Sequence, residues 1–309
     1  MKKRIGILGL GGVGGYFGGL LAKAYQESEE IEIVFIARGA TQQTIAENGL
    51  KIVTDDSEMI VHPKLVSNDP KEIGELDYLI CATKTYDIEE SLLSLQSCIV
   101  AKTVILPLYN GVDAPERIQK IFPHNDILHG CVYIISMITL PGTIRKMGFY
   151  EKLFFGSKTV SASKLEELQD ILQQAKIESY LVENIEETVW EKFIFISALA
   201  STTSYLNQHI GEILDNADAM AVYVELLHEI DAVAKAKGLK LPEDIVNQTI
   251  VKLEKSPREA TSSMHRDLLA GQNTEAISLT KFVFNEGMKY GVKTPLYEKI
   301  TNVLLPENL

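Results

Sequence analysis

Cysteine is scarce in this chain: Cys81, Cys98 and Cys131 are the three present, and none lies in a C-x-x-C pair. Separated thiols make no disulfide framework, so a reduced, cytoplasmic setting is expected. Basic residues are in deficit. The chain has 30 Lys and Arg against 42 Asp and Glu, a net charge of −12. A surface of that sign repels nucleic acid and anionic membrane, so neither is an expected partner. The six histidines, at 62, 124, 129, 209, 228 and 265, show no ligand spacing such as H-x-x-x-H, and no metal is expected. Low-complexity tracts and internal repeats are missing.

Long apolar runs are also missing, with one exception that misleads. Residues 5–22 carry no charge and follow a basic start, as in a signal peptide or short membrane span. Eight of those 18 residues are glycine. Glycine costs a helix about 1 kcal/mol per position relative to alanine, and it adds little transfer energy. No small-residue cleavage site stands out downstream. Neither export nor membrane insertion is expected.

What remains is ordinary globular material, 46% hydrophobic and 23% charged over 309 residues. That suffices for one large domain or two ordinary ones. The glycines have a better use. "KRIGIL" reads as a strand, and "GYFGGLLAKAYQ" reads as a helix. Between them stands Gly9-Leu10-Gly11-Gly12-Val13-Gly14, a G-x-G-x-x-G. Strand, glycine turn and helix together point to a Rossmann-type dinucleotide site. Gly9 permits the turn, Gly11 lets backbone approach a pyrophosphate, and Gly14 lets helix and strand pack closely. The helix N-terminus supplies free N–H donors.

The next strand, "IEIVFIAR", ends Ala37-Arg38-Gly39, and no acid follows until Glu47. An NAD site usually places Asp or Glu there, to bond the ribose hydroxyls. The planar fork of Arg38 suits a 2′-phosphate instead, so NADP(H) is the expected cofactor. Two further apolar strands end in Lys84 and in Asn110-Gly111. Ligands of open parallel sheets bind beyond the carboxyl ends of strands, which makes Lys84 and Asn110 candidates. Beyond Phe122 come β-like segments with a Pro-Gly turn, so an antiparallel or mixed sheet is expected there. From residue 186 the pattern predicts helices over 186–206, 218–237, 243–253, 264–269 and 274–290. The expected organisation is an α/β Rossmann-type domain at 1–183 and a mostly α-helical substrate and catalytic domain at 184–309. A cleft between two such halves is a favoured place for ligands.

Helical spacing puts Lys192, Ile196, Leu199, Ala200 and Thr203 on one face. A lysine at a helix edge ordinarily snorkels its head to water. Reduction of a ketone instead creates an alkoxide, which a partly desolvated lysine can both stabilise and protonate. Ser262 and Ser263 can bond a small polar ligand. By propensity Thr274 is a helix N-cap, and Glu275 is a first-turn carboxylate held by the helix dipole.

Gly9-x-Gly11-x-x-Gly14, "ARG" at 37–39, Lys84, "NG" at 110–111, "WEKF" at 190–193 and "SSMHRDLLAGQNTE" at 262–275 occur in this order. Together they resemble the ketopantoate reductase (2-dehydropantoate 2-reductase) family, over nearly the whole chain. The resemblance implies NADPH-dependent reduction of a 2-oxo acid, ketopantoate to (R)-pantoate, in pantothenate and CoA biosynthesis. By resemblance, Lys192 is the general acid. Glu275 then binds the substrate hydroxyl or positions the lysine, and Ser263 holds the substrate carboxylate. Lys84 and Asn110 line the junction of cofactor and substrate. Ile196, Ala200 and Ala260 stand where members of the family carry asparagine, which leaves a different, more apolar 2-oxo acid open as the substrate. Two alternatives stay open: a D-2-hydroxyacid dehydrogenase, and a non-catalytic NADP-binding regulator. Exposed apolar surface on the helical half would allow a homodimer.

Overall fold

The computed structural model describes residues 2–306. The chain forms two compact units, Met1–Tyr109 with Ala114–Ile185, and Asn110–Asp113 with Glu186–Leu309.

The strands of the first unit are β1 (Lys3–Leu8), β2 (Ile31–Ile36), β3 (Leu50–Val53), β4 (Glu58–Val61), β5 (Leu65–Ser67), β6 (Tyr78–Cys81), β7 (Val104–Pro107), β8 (Asp126–Ile127), β9 (His129–Leu140), β10 (Thr143–Gly156) and β11 (Ser179–Leu181). Six of them form a sheet in the order β5-β2-β1-β6-β7-β8, with every neighbouring pair parallel. The unbroken apolar character of "YLIC" and "VILP" fits this arrangement, because a parallel sheet is covered on both faces. Both strands are buried throughout. Along β6 the side chains alternate between two cores: Tyr78 and Ile80 in one, Leu79 and Cys81 in the other.

The change of pattern beyond Phe122 is a second, mixed sheet. Its order is β11-β10-β3-β4, with β9 also paired to β10. The β9–β10 hairpin is antiparallel and turns at Pro141-Gly142, while β10 runs parallel to β3 and β11. The helix Gly12–Ala24 packs on both sheets, and this accounts for the glycine-rich run. A Cβ at Gly18 would lie 2.9 Å from Cγ2 of Ile7 in β1. One at Gly15 would lie 2.7 Å from Cγ1 of Ile144 in β10. Only a helix with almost no side chain there fits between the layers. Among the described residues, no helix is long and apolar enough to cross a membrane.

The second unit is helical: Ile185–Leu206 (which begins one residue earlier), Ile210–Asp215, Ala217–Ala236, Ile245–Glu254, Ser263–Leu269, Phe282–Tyr290 and Pro295–Leu304. The helix Ala217–Ala236 buries Tyr223, Leu226, Leu227, Ile230, Val233 and Ala234 completely, at the spacing that makes one apolar face. Its Glu229 is also buried and accepts from the backbone N–H groups of Leu296 (2.8 Å) and Tyr297 (3.0 Å). That carboxylate caps the helix begun by Pro295. Burial raises its pKa, and the two N–H donors oppose the rise.

Two helices, Ile210–Asp215 and Pro295–Leu304, lie outside the predicted set. The first is a short segment behind a His209–Glu212 capping box, too brief to carry a period. The predicted helix over 274–290 needs correction at its start. Glu275 lies in a bend rather than a first helical turn, and Thr274 caps no helix. A π-helix, Ile277–Lys281, follows, and the α-helix proper is Phe282–Tyr290. Lateral bonds from this segment to two neighbouring elements accompany its wider winding.

Candidate active site

The glycine turn follows β1. Gly9 has φ +89°, and a Cβ on it would stand 2.7 Å from the backbone nitrogen of Thr83. A Cβ on Gly14 would strike the carbonyl oxygen of Gly9. Those two glycines are demanded by the protein's own packing. Gly11 is not. Around it nothing approaches a would-be Cβ closer than the Ala82 carbonyl oxygen, at 4.0 Å. Gly11 is the N-cap of the helix Gly12–Ala24, no side chain caps that terminus, and its first turn holds no acid. An open space in front of free N–H groups fits a pyrophosphate. Leu10 is buried and Val13 partly buried in the core, so both offer backbone rather than side chain.

Arg38, one residue beyond Ala37 after β2, is the N-cap of the helix Gly39–Asn48, whose first turn has no acid. Its side chain is 74% exposed and meets Glu90 at 3.7 Å. An exposed pair of that length contributes little, so the guanidinium can exchange it for a phosphate. Lys84 follows β6, half-buried, as the N-cap of a short 3-10 turn. Beside it, Thr83 Oγ1 and the Tyr109 hydroxyl are 3.1 Å apart. Burial holds the Cys81 thiol and the Tyr109 phenol well above their ordinary pKa values. A neutral buried thiol is inert as a nucleophile.

In the second unit, the helix Ile185–Leu206 is fixed in rotation by aromatic packing. Trp190 meets Phe193 edge-to-face at 5.4 Å, and Phe193 meets Phe282 at 5.7 Å. Lys192 lies between these anchors in sequence and is half-buried. Its ammonium donates to Asn110 Oδ1 at 3.0 Å. Asn110 follows the first unit's β7 in sequence, yet the segment Asn110–Asp113 belongs to the second unit. Two residues singled out in the sequence, 82 positions apart, are thus brought together.

Further along the same face, Leu199, Ala200 and Thr203 are buried, and Ile196 is partly buried. Thr203 donates to the carbonyl of its own Leu199 at 2.8 Å and lies 2.8 Å from the Ser262 hydroxyl. Ser197 and Ser201 are committed to packing: Ser197 donates to the Leu279 carbonyl at 2.6 Å, and Ser201 meets Thr280 at 2.9 Å. Ser262 caps the helix Ser263–Leu269, accepting from the His265 N–H at 3.0 Å. Its hydroxyl thus also holds the helix start. Ser263 is the first residue of that helix and is half-buried. Glu275 is 4% exposed in its bend.

The sequence gives little hint of three residues that build this region. His265 is 1% exposed; its ring nitrogens meet Thr261 Oγ1 at 2.7 Å and Asn207 Oδ1 at 2.9 Å. Asp113 accepts from Ser278 Oγ at 3.1 Å across 165 residues. "NGVD" hints at a turn acid, but nothing local names its partner. Burial, more than the nearby His209, lowers the His265 pKa. The folded chain therefore holds His265 neutral below the pH at which the unfolded chain protonates it. Its contribution to stability is present above about pH 6.5 and is lost as pH falls further. Melting temperature should fall between pH 7.5 and pH 5.5, and His265→Gln should flatten that fall. An unchanged slope in the variant counts against this assignment.

Residues 5–159 match the family profile of ketopantoate reductase PanE/ApbA, and residues 184–306 match its C-terminal profile. The chain belongs to the ketopantoate reductase family. It is therefore an oxidoreductase with a Rossmann-like first domain and a helical C-terminal region. The ketopantoate reductase fold is matched by the crystal structure of 2-dehydropantoate 2-reductase from Porphyromonas gingivalis W83. The two share 31% identity and a TM-score of 0.85, covering 99% of this chain and 100% of that one. The uncharacterized oxidoreductase YkpB of Bacillus subtilis (strain 168) is 25% identical over 295 residues, 95% of each chain. A D-mandelate dehydrogenase, solved with NADH and anilino(oxo)acetate, shares the fold at 23% identity and TM-score 0.85, covering 97% of each chain.

Proposed function

We propose that this ketopantoate reductase family member is a cytoplasmic enzyme that reduces a 2-oxo acid with NADPH to the (R)-2-hydroxy acid. Ketopantoate, giving (R)-pantoate for pantothenate and CoA synthesis, is the first substrate to test. On this reading residues 1–183 hold the cofactor, and residues 184–309 supply the substrate-binding and catalytic groups. The single observation that carries the reading is the Lys192–Asn110 hydrogen bond at 3.0 Å. The neutral amide oxygen of Asn110 orients the ammonium without cancelling its charge.

The nicotinamide, when bound, supplies the hydride. The Gly9–Gly14 turn would hold the pyrophosphate on backbone N–H groups, and Arg38 would hold the 2′-phosphate. Lys192 would donate a proton to the carbonyl oxygen as negative charge develops there. An ammonium so placed acts as both counter-charge and acid. Asn110 fixes the lysine head and, with Lys84, would line the junction of cofactor and substrate. Ser263 would bond the substrate carboxylate. Glu275 would bond the substrate hydroxyl or position the lysine.

A second reading keeps the reaction and changes the acid. One and two helical turns after Lys192 stand Ile196, partly buried, and Ala200, buried, and Ala260 is partly buried as well. Apolar side chains there favour a 2-oxo acid without further hydroxyls, since a buried hydroxyl lacking a partner costs about 1–3 kcal/mol. NADPH absorbance followed across a panel of 2-oxo acids separates the readings. Turnover of ketopantoate supports the first. Turnover of bulkier apolar acids alone supports a D-2-hydroxyacid dehydrogenase. NADPH binding with no turnover of any acid sinks both and leaves a binding protein.

A further inference from the structure

The π-helix Ile277–Lys281 touches both halves of the lysine arrangement. On one side Ser278, which is 1% exposed, donates to Asp113 Oδ2 at 3.1 Å. Asp113 ends the four-residue segment that begins with Asn110. Gly111, between them, is pressed on the same surface: a Cβ there would stand 3.1 Å from Asp113 Oδ1 and 3.4 Å from Ser278 Cβ. Its φ of +134° is a conformation that side chains avoid. The turn that presents Asn110 is thus folded directly against Ser278.

On the other side the π-helix grips the helix that carries Lys192. Ser197, fully buried, donates to the Leu279 carbonyl at 2.6 Å and lies 2.8 Å from the Tyr297 hydroxyl. Ser201 and Thr280, both fully buried, meet at 2.9 Å. One five-residue segment therefore sets the position of the Asn110 turn and of the lysine's helix together. In a regular α-helix successive carbonyls are bonded along the axis; a π-helix offsets that ladder, and such segments recur at functional sites.

We propose that Asp113 and Ser278 are positioning residues for Lys192. Their hydrogen bond holds the Asn110 turn so that its amide oxygen aims the lysine head. This rests on the reading of Lys192 as proton donor, but its effect on the lysine exists without any substrate. On this proposal Asp113 and Ser278 act through Asn110 and Lys192 rather than on the reacting atoms.

The experiment has two arms. In the first, the labelling rate of Lys192 by a trace amine-acylating reagent is read by mass spectrometry in the apo-protein at fixed pH. Asp113→Ala and Ser278→Ala should each change the Lys192 rate about threefold or more. Surface lysines such as Lys71 should stay constant. Asp113→Asn keeps an acceptor oxygen and should restore the parent rate. In the second arm, whichever 2-oxo acid the parent chain reduces is used for kinetics. Ser278→Ala should lower kcat about tenfold while KM for NADPH stays within about twofold, because the lost geometry matters only as charge develops. The double variant should cost no more than either single one, as expected for two ends of one bond. An unchanged Lys192 labelling rate in both alanine variants overturns the proposal. So does an Asp113→Asn variant as altered as Asp113→Ala. If the parent chain turns over no 2-oxo acid, the functional reading fails, and the labelling arm still decides the positioning role. Melting temperatures taken alongside separate general unfolding, which would change labelling at every buried lysine, from the local effect.

Discussion

Lys192→Ala should reduce 2-oxo acids with a kcat about 100-fold or more below that of the parent chain, the range for losing a general acid. The direction follows from charge. Hydride arriving at a carbonyl carbon leaves an alkoxide on oxygen. Without the ammonium, that charge meets Asn110, an amide that cannot supply the missing cation. The loss should fall on kcat more than on KM for NADPH, since the interaction strengthens only in the transition state. Stability should change less than activity, because Lys192 is half-buried and the helix that carries it is anchored by Trp190 and Phe193. Steady-state kinetics with NADPH binding measured separately by fluorescence checks both parts. A kcat within about threefold of the parent value would show that the proton comes from elsewhere.

Arg38→Ala should weaken NADPH binding about 10- to 100-fold and leave NADH within about twofold, from charge-assisted hydrogen bonds worth about 1.5–3 kcal/mol. The side chain is 74% exposed, and its ion pair with Glu90 spans 3.7 Å. Little folded structure depends on it, so the effect should be confined to the cofactor that carries a 2′-phosphate. The helix Gly39–Asn48, which Arg38 caps, has no first-turn acid to oppose that phosphate. Raising ionic strength should shrink the gap between the two cofactors, because an exposed charge pair is screened. Equal weakening of NADPH and NADH would remove Arg38 from the 2′-phosphate site.

Much of this architecture is legible along the chain. "KRIGIL", the glycine turn and the following helix announce the first domain, and each depends on neighbours within a few residues. The parallel strands ending at Cys81 and Pro107 are readable for the same reason: fully apolar runs report burial on both faces. The helical half is readable from the 3.6-residue period of segments such as Ala217–Ala236. Reading failed where local signals lied. Thr274-Glu275 looks like a helix start by composition, but the chain bends there and continues as a π-helix whose Ser278, Leu279 and Thr280 bond sideways. Ser262, suited by composition to a small polar ligand, also serves as the N-cap of the helix Ser263–Leu269, a use that only the fold reveals.

By itself the sequence determined the order of the elements, the glycine turn, and the placing of a single lysine beside the aromatic pair of "WEKF". These follow from side-chain size, backbone freedom and periodicity, all short-range properties. Only the tertiary structure decided that Lys192 bonds Asn110, 82 residues away, and that Ser278 reaches back 165 residues to Asp113. Hydrogen bonds of that kind depend on where two helices and a turn come to rest. That is settled by the packing of Trp190, Phe193 and Phe282, and no spacing within any one segment encodes it.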